Sequence, residues 1–406
     1  MKGKWTRVGL VSTVVLLFLA WLLAPVYVFM GEDNASLFAP LGSYELEDSD
    51  SLDSLTGSPR WQQQADAANQ LLLDHRNALG APALSAAIAI DGELVWAAAS
   101  GYADLSTGQA ASTDTLFRIG STSKAVTGSL MARLVDAGIV SLDSPISDYY
   151  PELPNPAWRD LSLRQLASHT AGIPGYENNN DWLGAYRSMW PRSHYENVAD
   201  SLEIFDGSDM LFAPGEDFYY SSYDVVLQSA ILQAAADQSY QQLLGKWLRD
   251  PLGIETPLPD GPHPDRASFY FKQQGRAYNS PGYDVSHRMA GGGLMARPRD
   301  LALLASAWTV PEFISSDTRE AFFTAQPLNN GEINEQAYGL NWRVRESVGE
   351  TPMFNANHGG VGKGSMSWLI VIPEQKLALS MMINTRIDPF SEWISIQEEL
   401  ISLFLQ

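Results

Sequence analysis

Residues 8 to 30, VGLVSTVVLLFLAWLLAPVYVFM, carry no charged side chain over 23 positions. At 1.5 Å per residue a helix of that length crosses about 30 Å of hydrocarbon, so the stretch predicts one membrane-spanning helix. Lys2, Lys4 and Arg7 precede it, and Glu32 and Asp33 follow it. That asymmetry predicts a cytoplasmic head over residues 1–7, an anchor over 8–30, and an extracytoplasmic location for the remainder. A cleaved signal peptide is the competing reading. Its apolar region normally runs about 7–15 residues to a small-residue cleavage site, and no clear site follows here.

Residues 31–59 hold seven acids, no bases, and many Ser, Gly and Pro residues. Such a stretch repels itself and buries little, so it is expected to be a flexible tether. The head contributes +3 and the tether −7, so the total of −21 leaves −17 on residues 60–406. A surface of that sign repels phosphate backbones and weighs against nucleic-acid binding. With no cysteine, thiolate chemistry, disulfides and iron–sulfur clusters are excluded. The six histidines contain no HExxH pair, and no metal or other cofactor is expected.

Trp61 to Leu79 carries apolar residues near helical spacing, with Gly80 as a stop. Ser85–Ile90, Asp91-Gly92 and Glu93–Ala99 predict a hairpin, because Asp-Gly supplies the positive-φ pair of a type I′ turn. Ser367–Ile372 and Leu377–Ile383 flank Pro373-Glu374-Gln375-Lys376 and precede an expected helix over 389–404. Helix then hairpin at one end, and hairpin then helix at the other, suit an antiparallel sheet covered by helices. The middle, about 140–290, is expected to form a mainly helical subdomain of this α+β domain.

Three segments can carry chemistry. Phe117 to Lys124 (FRIGSTSK) leads into an amphipathic helix. Positions i and i+3 share a helix face, so Ser121 and Lys124 can meet, and a neutral lysine can take the hydroxyl proton. Ser123 is adjacent to Lys124 and does not face it. The second segment, Pro214 to Ser222, brings Tyr219 and Tyr220, with Tyr223 just beyond; a tyrosine beside a lysine can act as a base. The third, Asn357 to Gly364 (NHGGVGKG), sets His358 in a glycine-rich lead to a strand. An N–H of an edge strand there can meet a developing oxyanion, and His358 can supply a polar or cationic group.

Taken in order, S-x-x-K, Tyr-x-Ser and His-x-Gly resemble the serine β-lactamase and penicillin-binding-protein superfamily. The resemblance is greatest to its class C and esterase-type branch, and to the mitochondrial β-lactamase-like serine proteases with their bacterial relatives. Gly80-Ala81-Pro82, LASHTAGIP over 166–174 and Ala290 to Leu294 support it, and together the matches span about residues 61–385. It implies a β-lactamase/D,D-peptidase-like fold with Ser121 as the acylated nucleophile, Lys124 as proton acceptor and Tyr220 as partner base. Ser222 would take the place of the family's Asn. His358 would replace the lysine of K-T-G, with Gly359 and Gly360 completing H-x-G, and the backbone N–H groups of Ser121 and Val361 would form the oxyanion hole. His169 would be structural, and the aromatic stretch 176–195, with Trp182, Tyr186 and Trp190, is a core patch or a roof over the cleft.

The expected protein is thus a single-pass bacterial inner-membrane serine hydrolase with a periplasmic catalytic domain, acting on a peptide or a small ester, with self-association open. The rival enzyme reading is a D,D-peptidase or β-lactamase; the rival non-enzyme reading is a binding or filament-forming module. A hydroxyl at 222 cannot both donate and accept as an amide does, which weighs against penicillin recognition.

Overall fold

The computed structural model describes residues 2–189 and 193–405. Helix α1 (Lys2–Asp33) contains the apolar stretch; among the described residues it is the one helix long and apolar enough to cross a membrane.

The central sheet runs β4 (Arg343–Val348), β5 (Thr351–Gly362), β6 (Ser365–Ile372), β7 (Leu377–Ile383), β2 (Ala83–Ile90), β3 (Glu93–Asp104), β1 (Leu52–Thr56), all antiparallel. The two terminal hairpins expected from the sequence therefore become one sheet through β7 and β2, in register from Leu377 opposite Ile90 to Ile383 opposite Leu84. Asp91 and Gly92 both adopt positive φ, 53° and 79°, as the tight turn requires.

Strand alternation explains how the sheet is covered. Leu84, Ala86 and Ile88 face one side, where they pack with Trp96, Leu379, helix α2 (Gln62–Leu79) and the C-terminal segment through Leu400 and Phe404. Ala87, Ala89 and Ala97 face the other, and their small size lets Ala302 of the helix Pro298–Ser306 close onto the sheet. Both faces are buried, which is why these strands read as continuous apolar runs. The expected helix over 389–404 is two shorter pieces, Phe390–Trp393 and Gln397–Phe404.

Helix α3 (Ser123–Asp136) follows FRIGSTSK, and helix α4 (Ser222–Ala236) lies in the middle stretch. Residues 31–59 depart from a free tether. Phe38 packs on Phe271, Glu45 pairs with Arg276 at 2.9 Å, and Leu52–Thr56 fills the sheet edge beside β3. The physical reason is that β3 offers unpaired backbone groups there, and hydrogen bonding to them is indifferent to an acidic composition.

Leu379 lies fully buried in the middle of β7. Leu379→Ala should lower stability by about 2–5 kcal/mol, read from urea unfolding followed by tryptophan fluorescence. A loss below about 1 kcal/mol would contradict a central β7.

Candidate active site

Ser121 sits on a short 3-10 turn, Gly120–Thr122, that opens α3. Backbone packing fixes this turn. Gly120 has φ +48° and lies so close to β5 that a Cβ would be 2.7 Å from the Val361 carbonyl oxygen. Gly360 approaches from the other side, where a Cβ would overlap the Ile119 carbonyl oxygen. That carbonyl accepts from the Ser367 hydroxyl at 2.6 Å. These contacts hold Ser121 half-buried against the end of β5, beside exposed Val361 and half-buried Gly359.

Lys124 follows one turn along α3 and is fully buried. Its Nζ donates to the Gly291 carbonyl at 2.6 Å and to Ser222 Oγ at 2.9 Å, and lies 3.4 Å from Ser121 Oγ. Ser222 is carried by the start of α4, where Ser221 caps the helix by accepting from the Tyr223 N–H at 3.1 Å. The cap hydroxyl donates in turn to the Pro174 carbonyl at 2.7 Å, which ties α4 to the LASHTAGIP segment. The Tyr220 ring lies with its centroid 4.8 Å from Lys124 Nζ. Burial pushes the Tyr220 phenol up, but the Lys124 and Arg343 charges and hydrogen bonds with Ser121 and Lys124 leave it below the ordinary tyrosine range.

The rival residues point elsewhere. Ser123 Oγ accepts from the Leu294 N–H at 3.3 Å. Tyr223 stacks on Phe205 in the core, with centroids 4.3 Å apart, and Tyr219 lines the cleft beside Gly175 and Tyr176. Of the expected aromatic roof, Tyr176 lines the cleft, Trp182 is 79% exposed, Tyr186 is half-buried, and Trp190 lies outside the described residues.

His358 requires a correction. It is completely buried. Its Nδ1 lies 2.8 Å from the Gly359 carbonyl, so that nitrogen carries the proton and Nε2 accepts, from Tyr338 OH at 2.8 Å and Arg343 Nη1 at 3.4 Å. Burial, with the Arg343 and Lys124 charges, holds its pKa well below the usual histidine value. It is therefore a neutral acceptor inside the wall and does not supply a cation to the cleft. His169 is likewise buried, with Nδ1 2.7 Å from Asp224 Oδ2 and its ring 4.6 Å from that of Tyr220. Burial drives both members of this pair toward their neutral forms.

The cleft has two arms that meet at Ser121, Tyr220 and Val361. The larger, about 580 Å³, runs along the outer face of β4 to β6 past Arg343, Arg345, Trp368 and Phe390. The smaller, about 380 Å³, runs past Tyr176, Glu177, Tyr219, Ser222 and Arg288. The sequence reading missed Tyr338, Asp224, Arg343 and Arg345. The available signal was the Arg343-Val344-Arg345 alternation, which puts both guanidinium groups on one face of a strand. Among the described residues no cluster of His, Asp and Glu is arranged to hold a metal.

A family model described as Beta-lactamase matches residues 68–395. The chain is 25% identical over 423 residues to the bovine (Bos taurus) serine beta-lactamase-like protein LACTB, mitochondrial, covering 82% of this chain and 75% of that protein. Among solved structures, the D-amino acid amidase from Ochrobactrum anthropi SV3 matches with a TM-score of 0.68 and 21% identity, over 84% of this chain and 97% of the other. The octameric penicillin-binding protein homologue from Pyrococcus abyssi matches with a TM-score of 0.66 and 20% identity, over 83% and 77%. The fold is that of β-lactamases and transpeptidases.

His169, His287 and His358 are all buried and all held below the usual histidine pKa, His287 down to about 3 by burial and the neighbouring Arg288 charge. Unfolded, each takes up a proton near pH 6.5; folded, none does until well below it. Stability present at neutral pH is therefore lost as pH falls below about 6.5, with a slope of up to about 1.4 kcal/mol per pH unit for each. Asp224 and Asp206, raised by burial, work in the opposite sense, and His75, also lowered by burial, adds to the three. The urea midpoint of the full chain in detergent micelles should fall between pH 7.5 and 5.5, and His287→Leu should flatten that fall. A midpoint independent of pH would show that the folded protein protonates these histidines.

Proposed function

The chain belongs to the β-lactamase family of serine hydrolases, and from that premise we propose a membrane-anchored, extracytoplasmic enzyme that cleaves an amide or ester through an acyl-enzyme on Ser121. The observation that carries this reading is the reach of one buried amine, Lys124 Nζ, to both Ser121 Oγ and Ser222 Oγ beneath the Tyr220 ring. Anchoring rests on the apolar part of α1, and self-association on likeness to the octameric homologue.

In this reading Ser121 Oγ attacks the substrate carbonyl carbon while its proton passes to the Lys124–Tyr220 pair. A phenol held below its ordinary range by neighbouring positive charge is suited to that transfer at moderate pH. The Ser121 and Val361 N–H groups face the oxygen of the tetrahedral intermediate, the role for which the close packing of Gly120 on Val361 is suited. Collapse breaks the bond to the leaving group, which departs with the proton taken from Ser121. Water then attacks the acyl-enzyme, gives a proton back through Tyr220, and releases the acid and free Ser121. No cofactor enters these steps.

Two features favour a peptidase or esterase over a penicillin-recognising enzyme. Ser222 offers a hydroxyl where the family's amide would read a substrate carboxamide, and neutral, buried His358 does not present the charge of a K-T-G lysine.

A fluorophosphonate should label Ser121 in the wild type and in Ser123→Ala, and should not label Ser121→Ala, as read by peptide mapping. Tyr220→Phe should slow labelling by about 10²–10⁴-fold. A fluorescent penicillin should label at least about tenfold more slowly than it labels an asparagine-bearing relative. Unimpaired labelling of Ser121→Ala would refute the nucleophile; rapid penicillin labelling would move the enzyme to the penicillin-recognising branch.

A further inference from the structure

The outer end of α1 packs on the folded domain. Pro25, Val28 and Gly31 recur at every third position and are buried, whereas Leu16, Leu17 and Leu23 upstream are exposed. Glu32 pairs with Lys363 at 2.5 Å, and Tyr27 packs edge-on against Phe38, which stacks in turn on Phe271 with ring centroids 5.4 Å apart. Lys363 lies in the turn from β5 to β6, two residues past Val361, so about 7 Å of chain separates the anchor's partner from the meeting point of the two arms. Tyr176 and Arg288, which line the smaller arm, also line a cavity of about 170 Å³ whose other wall is Pro25, Phe29 and Glu32 of α1. Ser188 lines the same cavity and belongs to the helix Trp182–Met189. At the other end of that helix, about 9 Å away, Trp182 is 79% exposed and Leu183 is 42% exposed.

In an anchored chain the apolar stretch ends at Met30, so groups packed on Pro25 and Phe29 lie at the depth of the lipid headgroups. Tryptophan and tyrosine favour that level, because their rings are apolar at one end and polar at the other. An exposed tryptophan and leucine beside the anchor find in lipid the apolar partner that water does not give them. We infer that the smaller arm of the cleft opens at the bilayer surface and takes its substrate from the membrane. The substrate class is then an amide or ester with a long hydrocarbon chain, which stays in the bilayer while the carbonyl reaches Ser121. Membrane entry rests on the anchored serine-hydrolase reading and adds to it the direction of the cleft and the physical class of the substrate. It also gives the Glu32–Lys363 pair a task, that of holding the Val361 end of β5 at the membrane.

The test uses the full chain in phosphatidylcholine vesicles and two fluorophosphonates of matched length, one on a hexadecyl chain and one on a soluble polyethylene glycol chain. Labelling at Ser121 is followed by mass spectrometry. The hexadecyl probe dissolves in the bilayer, so a cleft facing water would meet it less often than it meets the soluble probe. A cleft at the bilayer surface should take the hexadecyl probe at least about tenfold faster. Because the chain has no cysteine, Leu183→Cys and Glu374→Cys can each carry a single fluorophore; Glu374 is exposed beyond the far end of β6, about 25 Å from Lys363. Lipid with a nitroxide on its headgroup should quench the label at 183 by at least about half and the label at 374 by less than about a tenth. Both positions are exposed, so both variants should retain the wild-type circular dichroism spectrum, which serves as the folding control. Quenching at 183 no greater than at 374 overturns the membrane-facing arm. A soluble probe that labels as fast as the hexadecyl one overturns the lipid substrate while leaving the hydrolase reading intact. Absence of labelling by both probes overturns the hydrolase reading and the lipid substrate with it.

Discussion

The buried amine of Lys124 is the constraint around which the site is organised. An amine withdrawn from water must find polar partners, and this one finds three, from three parts of the chain: Gly291, Ser222 and Ser121. Each partner is positioned by something else. Gly291 belongs to the short helix Met289–Gly292, packed so closely on α4 that a Cβ there would be 2.8 Å from the Ser222 carbonyl oxygen. Ser222 is set by the Ser221 cap, and Ser121 by the glycine contacts with β5. The helical part and the sheet are thus aligned by the needs of one side chain.

A second buried layer supports the first. Tyr220 is bordered by His169, Tyr338 and Arg343, and Tyr338 and Arg343 both reach His358. Two of these groups are histidines kept neutral by burial, so they add acceptors without adding charge. The positive charge near the phenol comes instead from Lys124 Nζ and the Arg343 guanidinium carbon, 4.8 and 5.1 Å from its ring centroid. In the proposed reaction, that division lets Tyr220 exchange a proton with Ser121 without a nearby histidine competing for it.

What the sequence made legible was local or periodic. The Ser121 to Lys124 spacing follows from helix geometry, and the Asp91-Gly92 turn from backbone sterics. The apolar runs of β2, β3, β6 and β7 follow from a sheet buried on both faces. What it concealed was tertiary. A histidine in a glycine-rich strand looks exposed, and among the groups that enclose it are Tyr338 and Arg343, twenty and fifteen residues earlier. An acidic, serine-rich segment looks solvated, yet Leu52–Thr56 has a vacant sheet edge to join. Arg343 carries no motif, and its place beside Tyr220 depends on β4 beginning where it does.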